Sequence, residues 1–279
     1  MKSKKGATPS LERKLTRIAK ALVKSRERGC ITTRPSSLQQ HFTLLEAYEV
    51  YRIINSMLID KGYTPIGRKL GFTNPETWNE FDLSGPIWAF MYDKTIDLST
   101  GPVINIQGLV APRIEPEVVL KLNDKIEGYP ENGADISQTV EWVAIGLEIV
   151  DSHYANWKFN APDIVADFGA HSKLIVGNPI EPNRNQRIEL DNLTKNISVQ
   201  LFKNSHLIDI GRGENALGGP LRALEFLIEE LNRLPWNASL KAGEIVTTGT
   251  LTKIPFIKEK EEWVVKVEGL NLSPVTIKI

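Results

Sequence analysis

The chain has 279 residues, of which 41% are hydrophobic and 24% are charged, as in ordinary folded globular proteins. Its 34 Lys and Arg residues balance its 34 Asp and Glu residues, which argues against a nucleic-acid-binding protein. A chain without net charge gains little solubility from self-repulsion, so we expect a homo-oligomer. The single cysteine, Cys30, cannot form an internal disulfide, and no apolar run approaches the ~18 residues of a membrane span. We therefore expect a cytoplasmic protein without membrane contact.

Residues 1–62 are predicted to form a helical N-terminal region. Ser10 can cap a helix that runs to about Arg28, with its apolar residues on one face. Thr43 and Glu46 have the spacing of a capping box for a second helix, which Gly62 would end.

Residues 63–279 are predicted to form a domain built mainly from short strands. The predicted strands are 64–72, 101–110, 114–122, 142–150 (or the end of a helix), 173–176, 197–203, 206–210, 244–248, 262–268 and 275–279. One amphipathic helix that begins at Pro220 interrupts them. Strands and helices do not alternate, which argues against a doubly wound parallel sheet. We predict an α+β protein with a mixed, curved β-sheet core and a helical N-terminal region.

Two carboxylates, Glu115 and Glu117, lie two positions apart in the segment 113–120. In a strand both would point to one face, with Cβ atoms roughly 6–7 Å apart. Such a pair repels itself unless protons or a cation neutralise it, and a hard divalent ion prefers oxygen ligands. The alternative is a solvent-facing pair on an edge strand, where Pro116 is tolerated because it cannot donate a ladder hydrogen bond.

A third carboxylate, Glu148, lies in the strongly apolar segment 146–151. A buried carboxylate is costly unless it is paired or bound to a metal, so Glu148 is a candidate third ligand. An ion pair with Lys or Arg is the alternative. Asp151 could be a further ligand or a residue that supports one.

Three further segments could bind anions. Lys69 lies between glycines in Gly-Arg-Lys-Leu-Gly-Phe-Thr at 67–73 and could stabilise an enolate, although a surface lysine is the common alternative. The glycine-rich loop 211–220 opens a helix but lacks the Gly-Lys-Ser/Thr of a nucleotide-binding Walker loop. The hydroxyls of 246–252, Thr250 among them, could bind a carboxylate or simply end a strand.

In chain order, the segment 67–73, the Glu-Pro-Glu at 115–117 and the Leu-Glu-Ile-Val-Asp at 147–151 resemble the hydratase/decarboxylase branch of the fumarylacetoacetate hydrolase superfamily. The resemblance runs from about Arg68 to the C-terminus, and a helical N-terminal region is also typical of the branch. It implies a Mg²⁺ or Mn²⁺ ion held by Glu115, Glu117 and Glu148, with Lys69 as the active-site lysine.

The resemblance also implies the chemistry. Hydratases of the branch usually carry an acidic residue after that lysine, whereas 84–90 reads Ser-Gly-Pro-Ile-Trp-Ala-Phe, which is similar to the decarboxylases. The chain departs from the branch at Trp88-Ala89, where Tyr-Gly is usual, and at 167–170, where Asp-Phe-Gly-Ala replaces Asp-Asn-Ala-Ser. A metal-dependent carbon–carbon lyase that decarboxylates a 2-oxohex-3-enedioate, in meta-cleavage degradation of aromatic compounds, is the leading hypothesis. The residues that we expect to contact this substrate are Arg68, Thr73, Ile87 and Thr250.

Two alternatives stay open. A hydratase acting on a 2-hydroxypenta-2,4-dienoate would need a general acid or base, for which Asp167, His171 and Asp151 are candidates. A non-catalytic partner subunit is the second alternative, and the resemblance also implies a complex with a paralogous hydratase or decarboxylase. Single histidines such as His153 and His206 are more often structural.

Overall fold

The computed structural model describes residues 9–39, 41–99, 101–123, 136–236 and 238–279. Within these ranges the α-helices are α1 (Pro9–Arg28), α2 (Pro35–Leu38), α3 (Leu44–Asp60), α4 (Trp78–Phe81), α5 (Ala161–Ala166), α6 (Arg184–Ile188), α7 (Leu190–Lys195) and α8 (Pro220–Arg233). The strands are β1 (Pro65–Gly71), β2 (Ile87–Tyr92), β3 (Ile96–Asp97), β4 (Arg113–Leu122), β5 (Val140–Val150), β6 (His171–Val176), β7 (Ser198–Lys203), β8 (His206–Arg212), β9 (Ile245–Thr250), β10 (Glu262–Glu268) and β11 (Val275–Lys278).

The two long N-terminal helices form as the sequence predicts. The capping box of α3 is confirmed, because the Thr43 hydroxyl accepts from the Glu46 amide and the Glu46 carboxylate accepts from the Thr43 amide. Gly62 follows the helix with a φ of +76°, a left-handed conformation that glycine adopts readily. No helix among the described residues is long and apolar enough to cross a bilayer.

Two β-sheets make up the core. The larger, curled sheet has the strand order β2-β1-β9-β4-β5-β6-β3, and the smaller has the order β11-β10-β7-β8. The β1–β9 and β3–β6 pairs are parallel, and the other neighbours are antiparallel. The predicted α+β class with a mixed, curved sheet is therefore confirmed.

The predicted strand at 101–110 is wrong. Only Val103 there makes a β-bridge, with Lys278. The Asn105 side chain instead accepts from the Gln107 amide, and Gly108 has a φ of +85°, so local turns use the backbone that a strand would pair. Conversely, β2 was not predicted, although it pairs with β1 along its whole length.

Pro116 lies in a central strand, not at the edge that a proline indicates, because β4 runs between β9 and β5. The Ile114 amide donates to Pro255 O, outside the regular ladder, and Leu251 N donates to Pro116 O. Residues two apart in a strand share an orientation, so the N–H that Pro116 lacks would point to the same side as the N–H of Ile114, where the ladder is irregular. The missing hydrogen bond is tolerated there.

The N-terminal helices contact the later part of the chain directly. The Arg26 guanidinium donates to His171 O at 2.6 Å and lies 4.3 Å from the Phe168 ring centroid. The amide and hydroxyl of Ser36 both donate to the Asp163 carboxylate. The predicted boundary at residue 62 falls in the connection between α3 and β1, and the division into two domains stays a prediction.

Candidate active site

Three carboxylates meet on one face of the curled sheet. The β4–β5 register places Glu115 opposite Glu148, and Glu117 follows two positions along β4. One oxygen from each lies within 4.8 Å of the others. Glu117 and Glu148 are completely buried, and the Glu115 side chain is 12% exposed. Because Glu117 is buried, the alternative that Glu115 and Glu117 form a solvent-facing pair is excluded.

A bulge in β9 serves Glu117. The β4–β9 pairing shifts register beyond the Glu117–Thr250 pair, and Gly249 lies in the shifted stretch with a φ of +101°. Its amide donates to Glu117 Oε2 at 2.7 Å. A Cβ at this position would lie 2.0 Å from Thr73 Oγ1, so the residue must be glycine.

Lys69 reaches the cluster because the sheet curls. Its strand, β1, is separated from β5 by β9 and β4, roughly 14 Å in a flat sheet. Lys69 Nζ nevertheless lies 3.3 Å from Glu148 Oε2 and 4.0 Å from Glu115 Oε2. It also donates to Gly169 O at 3.2 Å. The ion pair considered for Glu148 exists, and it lies inside the carboxylate cluster.

His171 orients Glu148. Its Nδ1 lies 2.8 Å from Glu148 Oε1, and its Nε2 lies 2.8 Å from Thr95 Oγ1. Burial lowers the pKa of His171 well below its ordinary value, and the positive charges of Arg26 and Lys69 lower it further. The ring is therefore neutral, and the proton on Nδ1 is assigned from its carboxylate partner. His171 thus holds one Glu148 oxygen and leaves Oε2 facing Lys69.

The cluster carries more negative charge than Lys69 balances. Burial raises the pKa of Glu115 and of Glu148 to about 7, against the opposing effect of Lys69. Burial and the Glu148 charge raise the pKa of Glu117 well above its ordinary value. Burial lowers the pKa of Lys69, but the three carboxylates more than offset this and raise it.

These residues fit a divalent metal ion. Glu117 Oε1 is a buried oxygen atom without a hydrogen-bond donor, and the buried Glu148 Oε2 has only the ion pair with Lys69 at 3.3 Å. Unsatisfied carboxylate oxygens in a dry, acidic cluster are costly without a cation, and three carboxylates suit Mg²⁺ or Mn²⁺.

A cavity of about 430 Å³ opens beside the cluster. Lys69 and Glu115 lie in its wall, together with three of the predicted substrate contacts: Thr73, Ile87 and Thr250. Much of the remaining wall is apolar and includes Phe72, Phe81, Trp157, Phe159 and Ile164. Such a wall keeps water away from a ligand near the carboxylates.

The structure does not bring Arg68 to this cavity. Its guanidinium pairs with Glu244 at 2.9 Å and lies 4.1 Å from the Phe90 ring centroid, in the wall of a different cavity. Adjacent strand residues point to opposite faces, so Lys69 and Arg68 cannot share one site.

Asp167 and Asp151 support the backbone and do not line the cavity. Asp167 accepts from the amide of His153 at 2.9 Å and lies 2.8 Å from its Nδ1. Asp151 accepts from the amides of Val110 and Ala111, which precede β4. Neither lies in the three-carboxylate cluster, and His206 is exposed at a strand end.

A left-handed turn follows Asp167. Phe168, Gly169 and Ala170 have φ values of 58°, 57° and 60°. Such a run is unfavourable for residues other than glycine and marks backbone held in place by its surroundings. The turn presents Gly169 O to Lys69, as described above.

Two departures from the branch pattern meet at this turn. A Cβ on Gly169 would lie 2.8 Å from the Cβ of Ala89. The resemblance described above implies glycine in place of Ala89 and alanine in place of Gly169, so the methyl group would lie on the opposite side of this contact. We infer that the two substitutions compensate each other sterically.

We expect Gly169→Ala alone to cost on the order of 1–3 kcal/mol, through overpacking against Ala89 and through the φ of +57°, and the added Ala89→Gly to recover the overpacking part only. Chemical denaturation of both single variants and the double variant measures the coupling free energy. Losses that simply add would show that the two sites are independent.

The fold is similar to that of a known class of proteins. The curled mixed sheet is the fold of the fumarylacetoacetate hydrolase family, of which a yeast member aligns with a TM-score of 0.52 at 13% identity over 76% of this chain and 91% of that one. No family model matches the chain.

Proteins with higher sequence identity to this chain belong to the hydratase/decarboxylase branch. The chain is 28% identical to a 4-oxalocrotonate decarboxylase from a Pseudomonas species over 86% of this chain and 88% of that one. It is 27% identical to 2-keto-4-pentenoate hydratase 2 from Dechloromonas aromatica, over 81% and 82%. The structure of the 4-oxalocrotonate decarboxylase from Pseudomonas putida G7, complexed with magnesium and adipate, aligns with a TM-score of 0.87 at 22% identity over 98% of both chains. The resemblance to the hydratase/decarboxylase branch is thereby confirmed, and both kinds of relative are lyases.

Two residues of this site, Arg113 and Gly249, were not predicted from the sequence. Arg113 lines the cavity, and alternation along β4 would have placed it on the face of Glu115. Gly249 was read only as part of a hydroxyl-rich segment, and its contact with Glu117 depends on a bulge that the sequence pattern does not reveal.

Proposed function

We propose that this protein is a metal-dependent lyase that decarboxylates a 2-oxo-enedioate such as 2-oxohex-3-enedioate. The composition of the cavity carries the proposal. Among the described residues that line it, Glu115 is the one carboxylate and there is no histidine. Adding water needs a positioned general acid or base, whereas losing CO₂ does not.

The candidate general acids and bases for hydration, Asp167 and His171, are not among the residues that line the cavity. Asp167 is engaged by His153, and His171 by Glu148 and Thr95. The similarity to proteins named 4-oxalocrotonate decarboxylase supports the same choice.

Glu115, Glu117 and Glu148 would hold the divalent ion, which supplies Lewis-acid polarisation of the 2-oxo group when bound. Lys69, whose pKa the carboxylates raise in the metal-free protein, would donate from its ammonium group to the oxygen on which charge develops. The bond between C5 and C6 breaks, and its electron pair moves through the conjugated chain to the 2-oxo oxygen. Protonation of that oxygen gives 2-hydroxypenta-2,4-dienoate and CO₂.

The apolar wall of the cavity also strengthens the interaction of Lys69 with the substrate. Phe72, Phe81 and Phe159 keep water from the cavity, so the ammonium of Lys69 interacts more strongly with developing charge than it would in water. Ile87 lies in the wall where the hydratases of the branch are expected to carry an acidic residue.

The test is turnover of 2-oxohex-3-enedioate by the purified protein with Mg²⁺, measured as CO₂ release and by NMR of the product. We expect one CO₂ per substrate and loss of turnover after EDTA treatment. The same protein is then given 2-hydroxypenta-2,4-dienoate. Formation of 4-hydroxy-2-oxopentanoate without CO₂ release from the dicarboxylate would identify a hydratase.

Failure with both substrates would favour the non-catalytic subunit. The complete set of Lys69 and three carboxylates argues against that alternative, since a subunit without chemistry has no need of it. The homo-oligomer, the paralogous partner and the cytoplasmic location stay predictions from the sequence.

A further inference from the structure

Arg113 shares a face of β4 with two of the carboxylates. It lies two positions before Glu115 and four before Glu117, so all three side chains project to the same side of the sheet. Each two-residue step along a strand is roughly 6–7 Å. Arg113 therefore lies in the wall of the cavity, about one such step from the carboxylate cluster.

Aromatic rings fix the guanidinium in place. Its Cζ lies 4.5 Å from the Trp157 ring centroid and 4.1 Å from that of Phe256. Trp157 is itself anchored, because its indole N–H donates to Ala111 O at 2.9 Å. Stacking of this kind orients an arginine while leaving its edge free to donate hydrogen bonds.

Arg113 lacks an ion-pair partner among the described residues, and the negative charge that acts on its guanidinium is that of Glu115, one of the three clustered carboxylates. The Nε of Arg113 is buried without a hydrogen bond. A partly buried guanidinium without an anion is costly, and its planar edge matches the two oxygens of a carboxylate.

Two other polar groups of the wall are already engaged. Lys69 pairs with Glu148, and the Thr250 hydroxyl donates to Thr252 O. Two cationic side chains among the described residues line the cavity, and because Lys69 faces the carboxylate cluster, Arg113 is the one placed to receive an anion at the other end of a ligand.

We propose that Arg113 binds the substrate carboxylate farthest from the 2-oxo group and so selects dianionic over monoanionic 2-oxo acids. The inference rests on the proposed function for the position of the 2-oxo group beside the carboxylate cluster. An extended six-carbon diacid spans roughly 6–7 Å between its carboxyl carbons, about the two-residue step that separates Arg113 from Glu115. Its far carboxylate then meets the guanidinium edge.

The experiment is calorimetric titration of the Mg²⁺-loaded protein with two unreactive probes, 2-oxoadipate and 2-oxohexanoate, which differ by the far carboxylate. The wild type is expected to bind 2-oxoadipate on the order of 10–100-fold more tightly, the range for a charged hydrogen-bonded contact. Arg113→Met should remove this preference by weakening 2-oxoadipate binding, with 2-oxohexanoate binding unchanged. Arg113→Lys should restore part of it, as a point charge without the planar fork.

Arg212→Met, at an exposed arginine paired with Glu214, is the matched control and should keep the preference. Equal weakening of both probes by Arg113→Met, or a wild type without preference, would overturn the assignment. The readout is binding, so it separates the two proposals. Arg113-dependent selection without CO₂ release would leave this inference standing and reject the decarboxylase.

Discussion

Lys69→Met is expected to lower kcat about 10²–10³-fold, the range for removing one group that stabilises developing charge. The methionine chain keeps much of the lysine volume, so the cavity wall stays filled. Mg²⁺ binding should not weaken, because the ammonium that lies 3.3 Å from Glu148 competes with the metal for the same carboxylates. The measurements are kcat for CO₂ release and Mg²⁺ titration of the same protein.

The control for this substitution is Lys173→Met. Lys173 lies on β6, pairs with Asp97 at 3.7 Å and is 36% exposed. The control therefore makes the same lysine-to-methionine change outside the carboxylate cluster. Its kcat should stay within about twofold of the wild type, since surface substitutions of this kind have small effects. If Lys69→Met lost activity and Mg²⁺ binding together, a structural role for the lysine would be the better explanation.

Glu115→Gln is expected to stabilise the metal-free protein at pH 8 while weakening Mg²⁺ binding at least 10²-fold, more than the loss of a residue that only supports a ligand. The folded-state pKa of Glu115 is raised from 4.5 to about 7, so the folded state binds more protons across that window. The free energy of unfolding therefore falls as the pH rises from 4.5 to 7. Glutamine cannot ionise, so the variant escapes this loss, by up to about 3 kcal/mol at pH 8.

Urea denaturation of the EDTA-treated proteins at pH 5 and pH 8 tests the sign, since the advantage of the variant should fall to about 1 kcal/mol or less at the lower pH. Glu141→Gln, at a glutamate of β5 that is 39% exposed and paired with Lys121, should show neither effect. A Glu115→Gln protein that is less stable than the wild type at pH 8 would mean that the carboxylate is a net stabilising partner of Lys69.

Local periodicity was enough to predict the carboxylate cluster. Glu115 and Glu117 share a face because strand side chains alternate, and Glu148 is buried because its neighbours are apolar. The same rule, applied to the predicted strand at 64–72, would have separated Arg68 from Lys69. We had nevertheless expected Arg68 to contact the substrate beside Lys69.

Other parts of the site depend on contacts between distant segments. The fit of Gly169 against Ala89 joins a turn and strand β2, which are 80 positions apart, and no local pattern encodes it. The curl that brings Lys69 to Glu148 is likewise a property of the whole sheet. Asp167 was a candidate general acid or base from the sequence. In the structure its carboxylate pairs with His153 and supports the backbone there.

The parallel pairing of β1 with β9 has a consequence for how the protein is made. Residues 67–69 hydrogen-bond with residues 245–247, so the lysine of the site is fixed only after most of the chain has been synthesised. Until then the three glutamates lie on strands without the neighbour that positions them, and Glu117 lacks the amide of Gly249. Because long-range pairings of this kind slow folding, we expect the complete site, with Lys69 beside the carboxylates, to form late.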